Sequence, residues 1–384
     1  MGSGSYATAG APVAWIQTER VPRIRRCRQG RIMKCGGRTV RGTVAGLAYP
    51  TSRRSAEGSE ASGLFEETTT VSTEVVDILL ATYNGGRFLR EQLDSVVGQT
   101  YAHWRLLVRD DGSSDGTADI LEEYQRRIGE RMQIVRDELG RLGPALSFGR
   151  LLTLSDAPYA TFCDQDDVWM PDRIEQLLAE MRRMERETGA ARPILVHSDL
   201  QVIDEEGHEI SRSFWNYQYL RPEVAEDWRR LVVQNVVTGC ATLMNAALRD
   251  IAARIPQEAI MHDWWLALVA ARFGRVGYVD RATVKYRQHG RNDTGAKRWG
   301  MSYVVAKVAE LRRDGWQEGL RRTQRQAAAF RREYGSRLTQ EDLTLLDGYI
   351  GLQAKGLLAR RVFLIRNRLL KVGLIRNIGW LLVV

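Results

Sequence analysis

The chain has 384 residues, more than one average domain, and 44 % of them are hydrophobic, enough to bury a sizeable core. Its formal charge of +9 points to anionic company, whether nucleic acid, a phospholipid surface or a phosphorylated substrate. Cys27, Cys35, Cys163 and Cys240 form neither a CxxC pair nor a disulfide framework, and the sequence shows neither a secretory h-region nor a membrane-length apolar run, so a reduced, cytoplasmic, non-spanning protein is expected.

Residues 1–74 mix Gly, Ser, Thr, Ala and Arg without periodicity and include the basic stretch RIRRCRQGRIMK, which reads as a flexible extension. At Val75 the texture changes. VVDILLAT is a nearly continuous apolar run rich in β-branched residues, stopped by the turn formers of TYNGG, and predicts a buried strand. Phe88, Leu89, Leu93, Val96 and Val97 then recur at helical spacing. WRLLVRD predicts a second buried strand, closed by DGSSDGT, and Asp115 and Thr117 suit the start of a helix carrying Ile120, Leu121 and Tyr124 on one face. MQIVR, YATFCD and ILVHS are further strands, and a helix is expected from Pro171 to about Glu187. This alternation builds a parallel sheet covered on both faces, with ligands at the carboxyl ends of its strands. Neither GxGxxG nor GxxxxGK[ST] occurs, which argues against dinucleotide and Walker-type phosphate sites. From residue 301 the chain turns helical and basic. Its last stretch, LLARRVFLIRNRLLKVGLIRNIGWLLVV, carries six Arg or Lys and no acid among bulky apolar residues and Trp380. A helix lying in a membrane interface fits that composition, as does a helix packed on the core.

The chemistry-bearing residues cluster at strand ends. Asp164, Asp166 and Asp167 crowd the end of YATFC, where mutual repulsion calls for a cation. Oxygen ligands in small number suit Mg²⁺ or Mn²⁺, although acids ahead of a helix starting at Pro171 have a purely structural use as well. Asp110 and Asp111 close the preceding strand. Alone they are only a turn; at a nucleotide site such a carboxylate accepts from the ring N–H of uracil or thymine. Asp263 opens an apolar stretch with Trp264 and Trp265 and reads either as a helix cap or as a base. Asp199, after the ILVHS strand, is expected to line a site, but adjacent His197, Ser198 and Asp199 alternate faces and cannot form a proton relay. Cys163 and Cys240 read as small buried residues.

The ordered succession of LLATYNGGRFLREQLDSVVGQTY, VRDDGSSDGT, FCDQDDVWMPDR, TGCATLMN, HDWW and YRQHGRN resembles the family 2 glycosyltransferases of the GT-A fold, and within them the bacterial rhamnosyltransferase-like branch that builds cell-surface polysaccharides. The resemblance covers residues 75–295 and, more loosely, the basic end. It implies an α/β fold with a Rossmann-like, mostly parallel sheet flanked by helices, divided as a basic extension (1–74), a transferase domain (75–300) and a basic helical region (301–384). By the same resemblance Thr82, Tyr83 and Asn84 match the first nucleotide-binding loop, and Asp111 matches the residue that reads the base. Asp166 matches a direct metal ligand, with Asp164 beside it, and His289 resembles a late metal or pyrophosphate ligand. Asp263 matches the catalytic base. The implied donor is a dTDP- or UDP-linked sugar, dTDP-L-rhamnose by preference, used with Mg²⁺ or Mn²⁺. The implied acceptor is a glycan or lipid-linked oligosaccharide at the cytoplasmic face of the inner membrane, with no nucleic acid.

Chemistry supports the same roles. Departure of a diphosphate builds negative charge that a divalent ion offsets, and an acceptor hydroxyl needs a carboxylate within hydrogen-bond reach to take its proton. Two other readings compete. A nucleotidyltransferase would need cations in the early Gly-rich loop, where TYNGGR supplies Arg87 alone; a non-catalytic membrane or nucleic-acid binder would leave the carboxylates dispensable.

Overall fold

Residues 74–290 and 315–384 are described by a computed structural model. The extension expected over 1–74 lies, except for Glu74, outside the described residues, as do Cys27 and Cys35.

The apolar run after Val75 forms β1 (Val76–Thr82), an interior strand of the sheet. It is followed by α1 (Leu89–Val97), β2 (Trp104–Asp110), α2 (Thr117–Ile128), β3 (Met132–Ile134), α3 (Pro144–Leu154) and β4 (Tyr159–Cys163). β1 pairs in parallel with β2 on one side and β4 on the other, and β2 pairs in parallel with β3. The chain thus winds outward from β1 to β3 and then returns through α3 to the far side of β1. Such a reversal leaves a crevice at the carboxyl ends of β1 and β4, where neither neighbouring connection covers it. Thr82 and Cys163 end those two strands.

Beyond it come β5 (Val168–Trp169), α4 (Arg173–Thr188), β6 (Ile194–Ile203), β7 (Glu209–Ser211), α5 (Phe214–Gln218), α6 (Trp228–Leu231), β8 (Thr242–Asn245), α7 (Ala246–Ala252), α8 (His262–Phe273) and β9 (Arg275–Arg287). The strand order is β3-β2-β1-β4-β8-β6-β9-β5, with β7 paired to β6. The parallel arrangement recurs between β6 and β9, from Ile194 opposite Arg275 to Ile203 opposite Arg287. The short β8 runs antiparallel between β4 and β6, with Met244 opposite both Ala160 and Leu195. An antiparallel neighbour needs no crossover helix, so helix and strand patterning alone does not reveal it.

Side-chain alternation divides the sheet into two faces. Leu79, Leu107, Phe162 and Leu195 pack with α3 and α8, whereas Ile78, Leu80, Leu106 and Val108 pack with α1, α2 and α4. Each buried Leu or Ile contributes roughly 1.5–3 kcal/mol, and one register slip would send each set to the opposite face, mismatching its packing against both helix layers.

The basic end forms α9 (Gly315–Tyr334), α10 (Gln340–Ile350), α11 (Leu357–Arg366) and α12 (Leu374–Val383). Phe330 of α9 meets Trp265 of α8 edge-on at 5.8 Å, and Leu345, Leu346 and Tyr349 of α10 join the same core. α10 begins with a capping box between Thr339 and Asp342, and Asp342 also pairs with Arg272 of α8. The last 28 residues do not form one helix. Arg368 (φ 57°) and Gly373 (φ 86°) turn the chain through left-handed backbone, which separates α11 from α12. Trp380 is buried, its indole N–H donating to the Leu369 carbonyl at 3.1 Å. No helix among the described residues is long and apolar enough to cross a membrane.

Candidate active site

The loop after β1 is held almost entirely by side chains from elsewhere. The amide of Tyr83 donates to Gln165 Oε1 (2.8 Å), that of Asn84 to Ser113 Oγ (2.8 Å), that of Gly85 to Thr117 Oγ1 (3.0 Å) and that of Gly86 to Asp115 Oδ2 (3.1 Å). Asn84 sits at φ 48° with its side-chain oxygen accepting from the Ser114 amide, and Thr82 donates to Asp110. The loop therefore presents side chains and carbonyls rather than a cradle of vacant amides. Gln165 closes the contact by donating to the Tyr83 carbonyl at 3.0 Å. A Cβ on Gly85 would fall 2.2 Å from Gln165 Oε1, so only glycine admits this approach. Sequence reasoning missed Gln165, because its partner lies 82 positions away.

Asp111 is buried beneath the same region. Its carboxylate accepts from the amides of Leu142 and Gly143, both at 2.7 Å, from Arg109 at 2.5 Å and from Ser147 at 3.1 Å. Burial pushes its pKa up, but these donors outweigh burial and hold it below the ordinary carboxylate range. In this conformation it anchors the loop before α3. That loop places the Arg141 guanidinium 3.9 Å over the Tyr83 ring, a cation at the loop after β1 that no motif announced.

The FCDQDDVW segment leaves β4 in the crevice. Asp166 Oδ2 lies 2.6 Å from His289 Nε2, both mostly buried, so the strand-end acid and the late histidine do come together. Arg287 explains why. Its buried guanidinium donates to the Asp166 and Glu205 carbonyls and to Glu91, and its amide donates to Asp167 Oδ1 at 3.0 Å. The end of β9 is thereby fastened to the acidic turn, and His289 stacks on Phe88 at 5.1 Å. Asp164 and Asp167 lie close to the Cys240 thiol, with ligand atoms within 4.8 Å of one another. Burial first, then the charges of Asp166 and Asp164, raise the Asp167 pKa well above the usual range.

Asp263 occupies the first turn of α8. Its carboxylate accepts from the Gly239 amide at 2.9 Å, the Asn235 side chain at 3.2 Å and the Trp264 amide. Burial nevertheless raises its pKa to about 7, the range a base working near neutrality requires. Gly239 is obligatory here, since a Cβ would lie 2.7 Å from His262 Nε2. Because Gly239 touches Asp263 while its neighbour Cys240 lies against Asp164 and Asp167, the β4 acids and Asp263 share one region of the molecule. Trp265 is a core residue, and Trp264 donates its indole N–H to the Leu231 carbonyl.

Asp199 is not brought to this group. It accepts from the amides of Leu200 and Trp215 and lines a separate cavity of about 200 Å³ with Trp215, Asn216, Tyr278 and Asp280. None of Thr82, Asp111, Asp166, Asp263 or His289 lines that cavity. Ser198 pairs with Thr283 at 2.6 Å, which leaves no relay with His197. Cys163 and Cys240 are buried free thiols whose pKa values burial raises.

Residues 77–251 match the family model described as Glycosyl transferase family 2. Similar curated proteins include one of Bacillus subtilis (strain 168), provisionally named the teichuronic acid biosynthesis glycosyltransferase TuaG, which is 26 % identical over 59 % of this chain and 83 % of its own length. The dTDP-rhamnosyl transferase RfbG of Shigella flexneri is 26 % identical over 56 % of this chain and 74 % of its own. Among solved structures, S. aureus TarS 1–349 in complex with UDP-GlcNAc aligns over 75 % of this chain and 83 % of its own, with 15 % identity and a TM-score of 0.44.

Proposed function

We propose that this chain, whose residues 77–251 match the family model described as Glycosyl transferase family 2, moves a sugar from a nucleotide diphosphate to an acceptor hydroxyl by single displacement, inverting the anomeric carbon. The observation that carries this reading is the Gly239–Cys240 link, with Asp263 on one side and the β4 acids on the other.

Asp263 takes the proton of the attacking hydroxyl, and the Gly239 amide and Asn235 hold its carboxylate in place for that step. Gln165 fixes the backbone of the nucleotide loop, and Thr82, Tyr83, Asn84 and Asp111 belong to the nucleotide side of the site. Asp166 and His289, now paired to each other at 2.6 Å, would hold the divalent ion by exchanging that contact for it, the carboxylate suiting Mg²⁺ or Mn²⁺ and the imidazole Mn²⁺, with Asp164 beside them. When bound there, the ion offsets charge on the departing diphosphate.

The donor is a dTDP- or UDP-linked sugar. dTDP-L-rhamnose is preferred, supported by the likeness to RfbG. The acceptor is a hydroxyl of a cell-surface polysaccharide or lipid-linked glycan, and the setting is the cytoplasmic face of the inner membrane. Arg87 pairs with Glu205 at 2.6 Å, which disfavours a nucleotidyltransferase that would need this cation for a triphosphate. The test is a panel of nucleotide-sugars offered to the purified chain with Mg²⁺ or Mn²⁺. Release of nucleotide from at least one is expected; a folded protein inert toward all of them, or one releasing pyrophosphate from a nucleoside triphosphate, would overturn the proposal.

A further inference from the structure

Of the fourteen large hydrophobic side chains exposed among the described residues, eight fall between Leu357 and Leu382. They are not scattered. Leu358, Val362 and Ile365 recur at intervals of four and three along α11, and Leu374, Ile378 and Leu382 at intervals of four along α12. Each set makes one stripe of a helix, and Leu358 and Leu374 keep 74 % and 77 % of their surface in water. The opposite sides are already occupied, because Leu364, Leu369, Val372 and Trp380 belong to the core. The two helices are also tied to each other: Arg361 Nε donates to the Leu381 carbonyl at 2.9 Å and Arg360 to that of Val384 at 3.3 Å. The stripes are thus carried by an anchored helical pair rather than by a loose tail.

The charge around them has one sign. Residues 348–384 contain seven Lys or Arg and no Asp or Glu, and Arg366, which ends α11, and Arg368, just beyond it, are exposed. Two copies meeting through these stripes would bring like charges together, whereas an anionic lipid surface accepts both features at once. We infer that the α11–α12 pair is the membrane-docking surface of this protein, its two apolar stripes entering the headgroup boundary of an anionic bilayer and Arg366 and Arg368 meeting lipid phosphates. The inference rests on the proposed membrane-face setting for its purpose and on the geometry of α11 and α12 for its support.

The test is sedimentation of the full chain with vesicles of phosphatidylcholine alone and of phosphatidylcholine mixed with phosphatidylglycerol. Partition onto the anionic vesicles, weakening with salt, is expected. Leu358→Gln with Leu374→Gln should lower it about ten-fold or more, since each side chain loses its transfer from water. Arg366→Gln with Arg368→Asn should lower it about five-fold per cation removed; Asn tolerates the left-handed backbone at 368. An unchanged melting temperature in both variants shows that folding is intact. No sedimentation of the parent, or equal sedimentation of parent and variants, overturns the inference. So does a dimer seen by light scattering that the leucine variant alone dissociates while vesicle binding stays constant, which makes a second copy the occupant. Nucleotide release from the donor, measured without vesicles, separates the two readings: its retention alongside absent lipid binding sinks the docking surface and leaves the transferase standing.

Discussion

The Asp263 carboxylate accepts the backbone N–H of Gly239 at 2.9 Å, although the two residues lie 24 positions apart in different elements. This contact brings the first turn of α8 to the segment ahead of β8, and places a carboxylate whose pKa burial raises to about 7 against the backbone beside the acidic turn. It requires a glycine at 239 and an acid at 263.

Replacing Asp263 by Asn keeps shape and removes the base. Turnover should fall by about 10²- to 10⁴-fold, while donor affinity, read by calorimetry, stays within a few-fold. Parallel losses in both quantities would instead assign Asp263 to donor binding.

The pH dependence has a definite sign. With the Asp263 pKa raised to about 7, kcat/KM should rise with pH through that value as the carboxylate ionises. Stability runs the other way: the folded pKa exceeds the unfolded one, so the cost of the buried charge is absent below the ordinary carboxylate range and fully present above about 7. Asp263→Asn should therefore gain more melting temperature, relative to the parent, at pH 8 than at pH 5.

Gly239→Ala pushes a methyl group to within 2.7 Å of His262 Nε2. That ring is buried, its pKa lowered to about 3 by burial, and it packs against Phe148 and Phe162 at 4.2 and 4.4 Å, so it has little room to yield. A destabilisation of about 1–3 kcal/mol and a fall in kcat are expected, measured by urea unfolding and initial rates.

Gln165→Ala removes both hydrogen bonds to the Tyr83 backbone. At about 1 kcal/mol each, the loop should lose order at a cost of roughly ten-fold or more in donor KM, with kcat less affected. Gln165→Glu keeps the acceptor but not the donor, and should recover part of the loss.

If Asp166 and His289 hold the ion, Asp166→Asn or His289→Ala should raise the Mn²⁺ concentration for half-maximal rate beyond the roughly 10- to 100-fold that a merely supporting residue costs. Titration of Mn²⁺ by electron paramagnetic resonance checks this without substrate. Unaltered binding would remove both residues from the metal site.

Period and punctuation along the chain were sufficient to place β1, β2, β4 and β6 with α1, α2 and α4, because burial of a strand or helix face leaves its own local record in the side chains. They also set Asp164, Asp166 and Asp263 at the ends of elements. Contacts between distant segments carry no such record. That Gln165 braces Tyr83, that donors already engage Asp111, that Arg287 fastens Asp166 beside His289, and that Asp199 faces another cavity all depend on which strand ends the winding of the sheet makes neighbours. The basic C-terminus makes the same point. Its composition suits either a core helix or an interfacial one, and only the fold, with its break between Arg368 and Gly373 and Trp380 turned inward, buries one side of the pair and leaves the other in water. A side chain's hydropathy states what it favours; the fold decides which neighbours and how much water it meets.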